Sequence, residues 1–223
     1  MLLLARKKLE KLRTINNRNA SIVALAVVYI SGIIGLSIPS SRELFASTTP
    51  LSLVISAALL LWCHTDWNKP FWLFLGITSL VGYTVEVAGV HTEVIFGSYE
   101  YGDTLGWKMF RVPPMIGVNW MMLIYASGII AEQLTAPRLV KSLVGAALMV
   151  LLDLVIEPVA IQLDFWHWES NEIPLQNYVA WYVIATVLLY VFYTLPFRKE
   201  NEFAGYLYGF QVLFFGALLL CLS

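Results

Sequence analysis

The chain has 223 residues, 59% of them hydrophobic and 13% charged, and a mean hydropathy of +0.72, which excludes an ordinary water-soluble domain and reads as an integral membrane protein. A net charge of −1 says little, because in a membrane chain the placement of charges matters more than their sum. Cys63 and Cys221 both lie in apolar runs, which leaves no disulfide framework and no Cys-based metal site.

In chain order, residues 1–19 form a basic block. Met1 to Arg13 alternates Leu with Lys and Arg and has no long apolar core before a small-residue cleavage site, so it reads as an interfacial helix rather than a signal peptide. Residues 20–223 read as a single all-α transmembrane domain, a polytopic bundle of about seven helices. Their expected positions are 20–38, 50–63, 70–90, 113–131, 139–163, 174–195 and 204–222. The second is short for a span and the fifth is long. Pro39, Pro50, Pro70, Pro113, Pro137, Pro174 and Pro196 fall at the edges, where a missing N–H does least harm.

With the N-terminus in the cytoplasm, the inner segments hold Arg6, Lys7, Lys8, Lys11, Arg13, Arg18, Lys69, Arg138, Lys141, Arg198 and Lys199, against Arg42, Lys108 and Arg111 outside. That asymmetry favours an N-in, C-out heptahelix in the cell membrane. It also puts loops 91–112 and 164–173 on one face.

Glu86, Asp153 and Glu157 lie in spans apolar enough to exclude them, and an ionisable group there costs a few kcal/mol or more, so it needs a partner or a role. Each precedes one of the two loops. Glu86 leads through Phe96, Tyr99 and Tyr101 to Pro113 and Trp120; Glu157 leads through Phe165, Trp166 and Trp168 to Pro174 and Trp181. The match reads as a parallel repeat, 70–131 and 139–195, around a shared cavity, against the alternative that Pro and Trp favour helix edges anyway.

Bland readings stand beside these. Glu86 is then a half-hydrated interfacial group, and Asp153 with Glu157 a packing cluster or an ion pair with Lys108 or Arg111. The Tyr and Trp residues are then an aromatic belt, and His64, His91 and His167 interfacial residues without the spacing of a di-iron oxygenase. Gly32, Gly35, Gly76 and Gly82 read as sites of close helix packing.

The run Glu86-Val-Ala-Gly89-Val-His-Thr92, followed by Phe96-Gly97-Ser-Tyr99-Glu-Tyr101-Gly102, Leu105-Gly106, Val112-Pro113 and Asn119-Trp120, resembles the signature of the carotenoid biosynthesis membrane-protein family. Asp153-Leu-Val-Ile-Glu157-Pro158-Val-Ala160 with Phe165-Trp166-His-Trp168 is similar to its second motif. The chain departs from the pattern at Glu93, where members often carry Gly, and at Arg111, near a usual Gly. The resemblance covers residues 70–185. It implies a carotenoid 1',2'-hydratase, adding water to the terminal double bond of a linear carotenoid end, as in routes to bacterioruberin or myxol-type pigments.

Such a reaction protonates the less substituted carbon, passes through a tertiary carbocation and captures water. The donor must hold its proton near neutral pH, and burial disfavours the charged form of a carboxyl. Asp153 and Glu157, four apart, share a helix face and resist ionising together. The expected roles are Asp153 or Glu157 as donor and Glu86 as water-activating base. Tyr99, Tyr101, Trp107, Trp120, Trp166 and Trp168 are expected to line the substrate site, their faces stabilising the cation by about 0.5 to 2 kcal/mol each.

No Gly-rich phosphate loop and no soluble domain large enough for a nucleotide or flavin is present, so catalysis is expected to need no cofactor, and the scattered histidines give no expectation of a metal. The expected partners are the bilayer and a carotenoid dissolved in it, entering laterally along an apolar groove, with no nucleic acid. A lycopene-cyclase-like enzyme remains open if the acids sit in a dry pocket. A proton-coupled transporter or pigment-binding protein remains the alternative of another class.

Overall fold

A computed structural model describes residues 2–170 and 172–222, with side chains from residue 15 onward. Eight helices are found among the described residues: α1 (Leu2–Ser37), α2 (Pro39–Ser47), α3 (Thr49–Trp62), α4 (Lys69–Thr92), α5 (Met115–Glu132), α6 (Arg138–Gln162), α7 (Leu175–Thr194) and α8 (Glu202–Leu222). Two short strands, β1 (Tyr99–Tyr101) and β2 (Trp166–Trp168), lie in the α4–α5 and α6–α7 loops. The chain is an all-α helical bundle. Among the described residues six helices are long and apolar enough to cross a bilayer, and α2–α3, bent by 55°, make a seventh if they are one span.

The expected second helix, 50–63, is α3, only 14 residues long, or about 21 Å at 1.5 Å per residue. The sequence reading assigned no helix to 39–47, where α2 forms. Pro39 opens it at a position that needs no N–H. Ser41 Oγ donates to Gly35 O (2.8 Å) and Arg42 Nε to Leu36 O (2.9 Å), so α2 satisfies carbonyls left free at the end of α1. The backbone carries the basic N-terminal block and the first span as one continuous helix. The side chains of residues 1–14, and with them the expected interfacial placement, lie outside the described residues.

Helix α5 is central, touching α3, α4, α6, α7 and α8, and from Trp120 to Ala126 it is buried throughout. Outer helices show apolar side chains at every fourth position. Val179, Val183 and Val187 on α7 and Val23 and Val27 on α1 are exposed, as lipid-facing stripes require. The half-buried Arg18 on α1 pairs with the exposed Glu202 on α8.

The strands pair antiparallel, Tyr99 opposite Trp168 and Tyr101 opposite Trp166, which requires the two loops to lie at one end of the bundle as the topology predicted. Backbone bonds extend the clamp, Gly102 N–H to Phe165 O (3.0 Å) and Glu169 N–H to Ser98 O (3.1 Å). A Cβ on Gly102 would collide with the Asp164 carbonyl oxygen, so only glycine admits this approach. The units α4–β1–α5 and α6–β2–α7 correspond element for element, and Trp120 and Trp181 stack between them with centroids 4.4 Å apart.

Both departures from the family pattern sit where backbone geometry favours glycine. Glu93 caps α4 with φ 59°, and Arg111 has φ 66°.

Candidate functional site

Glu86, Asp153 and Glu157 line one chamber of about 30 Å³ with Tyr99, Tyr101, Asn119, Asn177 and Trp181 among its other walls. The carboxylates are 2–3% exposed. Among the described residues none of them forms an ion pair; Lys108 instead bonds Asp103 Oδ1 (2.9 Å) and Tyr101 O (2.6 Å). Neither the half-hydrated reading of Glu86 nor an ion pair of the acids with Lys108 fits this placement.

Glu86 on α4 accepts three hydrogen bonds. Tyr99 and Tyr101 hydroxyls donate to Oε2 at 2.5 and 2.8 Å, and Trp120 Nε1 donates to Oε1 at 3.0 Å. Gly82, one turn earlier, gives Trp120 its place, since a Cβ there would overlap the indole. Burial, followed by the neighbouring Glu86, holds both phenols well above their ordinary titration range, so they remain donors.

Glu157 on α6 is held in a parallel way by β2. Trp166 and Trp168 Nε1 donate to Oε2 at 2.9 and 3.0 Å, and Asn177 Nδ2 donates to Oε1 at 3.0 Å. Asp153, one turn below on the same face, receives among the described residues only the longer 3.3 Å bond from Asn177. Thus Glu86 and Glu157 each meet three donors, while Asp153 meets one.

Alternation places these groups. In a three-residue strand the first and third side chains share a face, so β1 turns both tyrosines and β2 both tryptophans toward the acids, leaving Glu100 and His167 outside. Ring contacts close the walls, Tyr99 to Trp168 (5.1 Å between centroids) and Tyr101 to Trp166 (6.2 Å).

Trp107 is not brought to the chamber. It is 71% exposed in the α4–α5 loop. His64, expected at the interface, is instead 4% exposed, stacked on Phe71 (3.6 Å) and bonded to Tyr125 (2.6 Å) on α5. His91 and His167 are exposed. Gly32, Gly35 and Gly82 are packing contacts, whereas Gly76 has open space beside it.

Asn177 is absent from the sequence reading, and Asn119 enters it only as part of the family signature, without a role. The signal for Asn177 was present: a neutral polar residue three after Pro174 inside an apolar span. Among the described residues no cluster of three or more His, Cys, Asp or Glu could hold a metal ion.

A second cavity of about 180 Å³ lies between α1, α2, α3 and α8, with a mainly apolar lining. Ile116, Asn119, Ile156 and Trp166 wall both spaces, so the cavity abuts the acids. Its rim includes Leu51, exposed by 59%.

The fold and site define a multi-pass membrane protein with a carboxylate chamber beside an apolar cavity. The profile of the carotenoid biosynthesis protein family matches residues 48–220, and the chain belongs to that family. It is 30% identical over 132 residues to the bisanhydrobacterioruberin hydratase of Haloarcula japonica, an alignment covering 54% of this chain and 44% of that protein. The match therefore spans less than half the length of that relative. No solved structure matches the chain.

Proposed function

We propose that the protein is a carotenoid hydratase that adds water across the terminal 1',2' double bond of a linear carotenoid end group. The observation that carries this is the unequal solvation of three buried carboxyls around one small chamber. Three O–H or N–H donors aimed at Glu86, and three at Glu157, complement a carboxylate. Asp153, with one weak donor, is the group with room for a proton and is assigned as the acid.

The end group enters from the apolar cavity, which is far smaller than a carotenoid, so the polyene stays largely in lipid. Asp153 protonates the less substituted alkene carbon, and the tertiary cation forms at the Trp166 wall that cavity and chamber share, with Glu86 offsetting its charge and the chamber left to the water. Water attacks the cation. Its proton passes to Glu157 in place of Glu86, the base expected from the sequence, because Glu157 lies one helical turn from Asp153 and shares Asn177 with it; the proton returns to Asp153, so alkene and water become alcohol with no redox change.

The chamber bears on the cyclase alternative. About 30 Å³ is room for one water, and Asn119 and Asn177 add polar walls, which favours water capture over ring closure. The transporter reading has less support, because the fully buried Met122, Leu123 and Ile124 lie along α5 between Trp120 and the His64–Tyr125 pair. The N-in orientation and the cell membrane remain part of this proposal, supported by the distribution of Lys and Arg.

The test is expression in a host that makes lycopene or γ-carotene, followed by pigment mass analysis. A gain of one water supports the hydratase. Unchanged mass with a shorter chromophore indicates a cyclase.

A further inference from the structure

Asn119, on the second turn of α5, stands where the two spaces meet: it lines both the carboxylate chamber and the apolar cavity. The other residues common to both walls offer no free polar group. Ile116 and Ile156 are apolar, and Trp166 commits its N–H to Glu157 (2.9 Å). Thr49 and Gln211 line the cavity alone.

The other neutral groups of the chamber wall cannot do what this amide can. Tyr99 and Tyr101 are turned on Glu86, Trp168 on Glu157, and Asn177 on Asp153 and Glu157. Trp181 has a ring N–H but nothing that accepts. Asn119 brings two donors and an acceptor, and its amide bonds no other residue among the described residues. Leaving such a group unmet in an apolar span costs about 1–3 kcal/mol, so the amide points to an occupant. A buried water needs two to four polar partners; Asn119 with the carboxyls of Asp153 and Glu157 supplies them around a space of about 30 Å³.

We propose that Asn119 positions the reacting water at the opening between chamber and cavity, and thereby decides whether the cation is captured or reverts to alkene. The inference rests on the hydratase reading. Being neutral, the amide holds the water without taking its proton. Asn119 Oδ1 accepts one O–H, the other points to Glu157, and an oxygen lone pair is left for the cation. Capture forms the C–O bond and passes one proton from the water to Glu157. Without the amide the water is not held in line. The cation then loses a proton to a carboxylate, from the carbon just protonated or from a neighbouring one, which restores an alkene with no net change.

Heavy water separates these fates, because the acid then delivers deuterium: reversion leaves it on carbon in the recovered polyene, whereas capture yields the alcohol. The experiment incubates the full chain in lipid nanodiscs with lycopene in deuterium oxide, and mass analysis gives the ratio of deuterated polyene to alcohol. Asn119→Leu is expected to raise that ratio at least about tenfold, the scale of one lost hydrogen bond, with lycopene binding, read by quenching of tryptophan fluorescence, unchanged. Asn119→Ser keeps a hydroxyl to hold the water and should shift the ratio less. The wild-type ratio in both variants overturns the proposal, since a packing role slows both fates together. Loss of both products in both variants with binding intact assigns Asn119 to the protonation step and overturns it too. The hydratase reading fails separately, in the wild type alone, if no alcohol forms there, and it takes this inference with it.

Discussion

Tyr99 and Trp168 are cross-strand partners that serve different carboxylates: Tyr99 donates to Glu86 on α4, Trp168 to Glu157 on α6. One two-stranded clamp therefore fixes acids from both halves of the bundle. Its geometry sets the first expectations for variants.

Gly102→Ala should part the strands, because the new methyl meets the Asp164 carbonyl. A loss of about 1–3 kcal/mol in stability is expected, with a larger fall in product formation as Tyr101 and Trp166 withdraw from Glu86 and Glu157. Thermal unfolding and pigment analysis of the same membranes check both parts.

Asn177 is the donor that Asp153 and Glu157 share. Asn177→Leu removes a bond to a charged group worth about 1.5–3 kcal/mol, a tenfold to hundredfold slower turnover if it acts in the transition state. Binding of the polyene, read by fluorescence quenching, should change little.

Glu93→Gly and Arg111→Gly should each stabilise the protein by up to about 1 kcal/mol, since a side chain in the left-handed region is strained and glycine is not. The check is the unfolding midpoint, with activity retained.

Asp164 lies outside the spans. Burial pushes its carboxyl up, but hydrogen bonds from His167 (2.6 Å) and the Asp103 N–H (3.0 Å) outweigh that and hold it below its usual range. A depressed acid stabilises the fold above its unfolded value and loses that contribution as pH falls through the folded one. The stability gap between wild type and Asp164→Ala should therefore be present at neutral pH and close below about pH 4. The site is half exposed, so the gap is small.

Much of this architecture was legible because lipid imposes simple rules. Long apolar runs bounded by proline gave the spans, and acids inside them marked the chamber. Helix α2 was not legible, since its role is to satisfy the end of α1 through Ser41 and Arg42, a tertiary reason invisible to periodicity. The strand pairing was also hidden: three-residue strands carry too little pattern, and only the assembled loops bring Tyr99 opposite Trp168. Trp107 was grouped with the other aromatics by composition, yet its place in the loop leaves it outside. Asn177 was passed over because a neutral amide in a span gives no charge signal, although it bridges two acids.

The most direct test of the central claim, that Asp153 protonates the alkene while Glu86 and Glu157 hold charge around a captured water, is isotope incorporation in oxygen-18-labelled water by membranes of the wild type and Asp153→Asn. The account predicts one labelled oxygen in the wild-type product and a rate lowered at least about a hundredfold in the variant. Full activity in Asp153→Asn, or a wild-type product without the label, would contradict it.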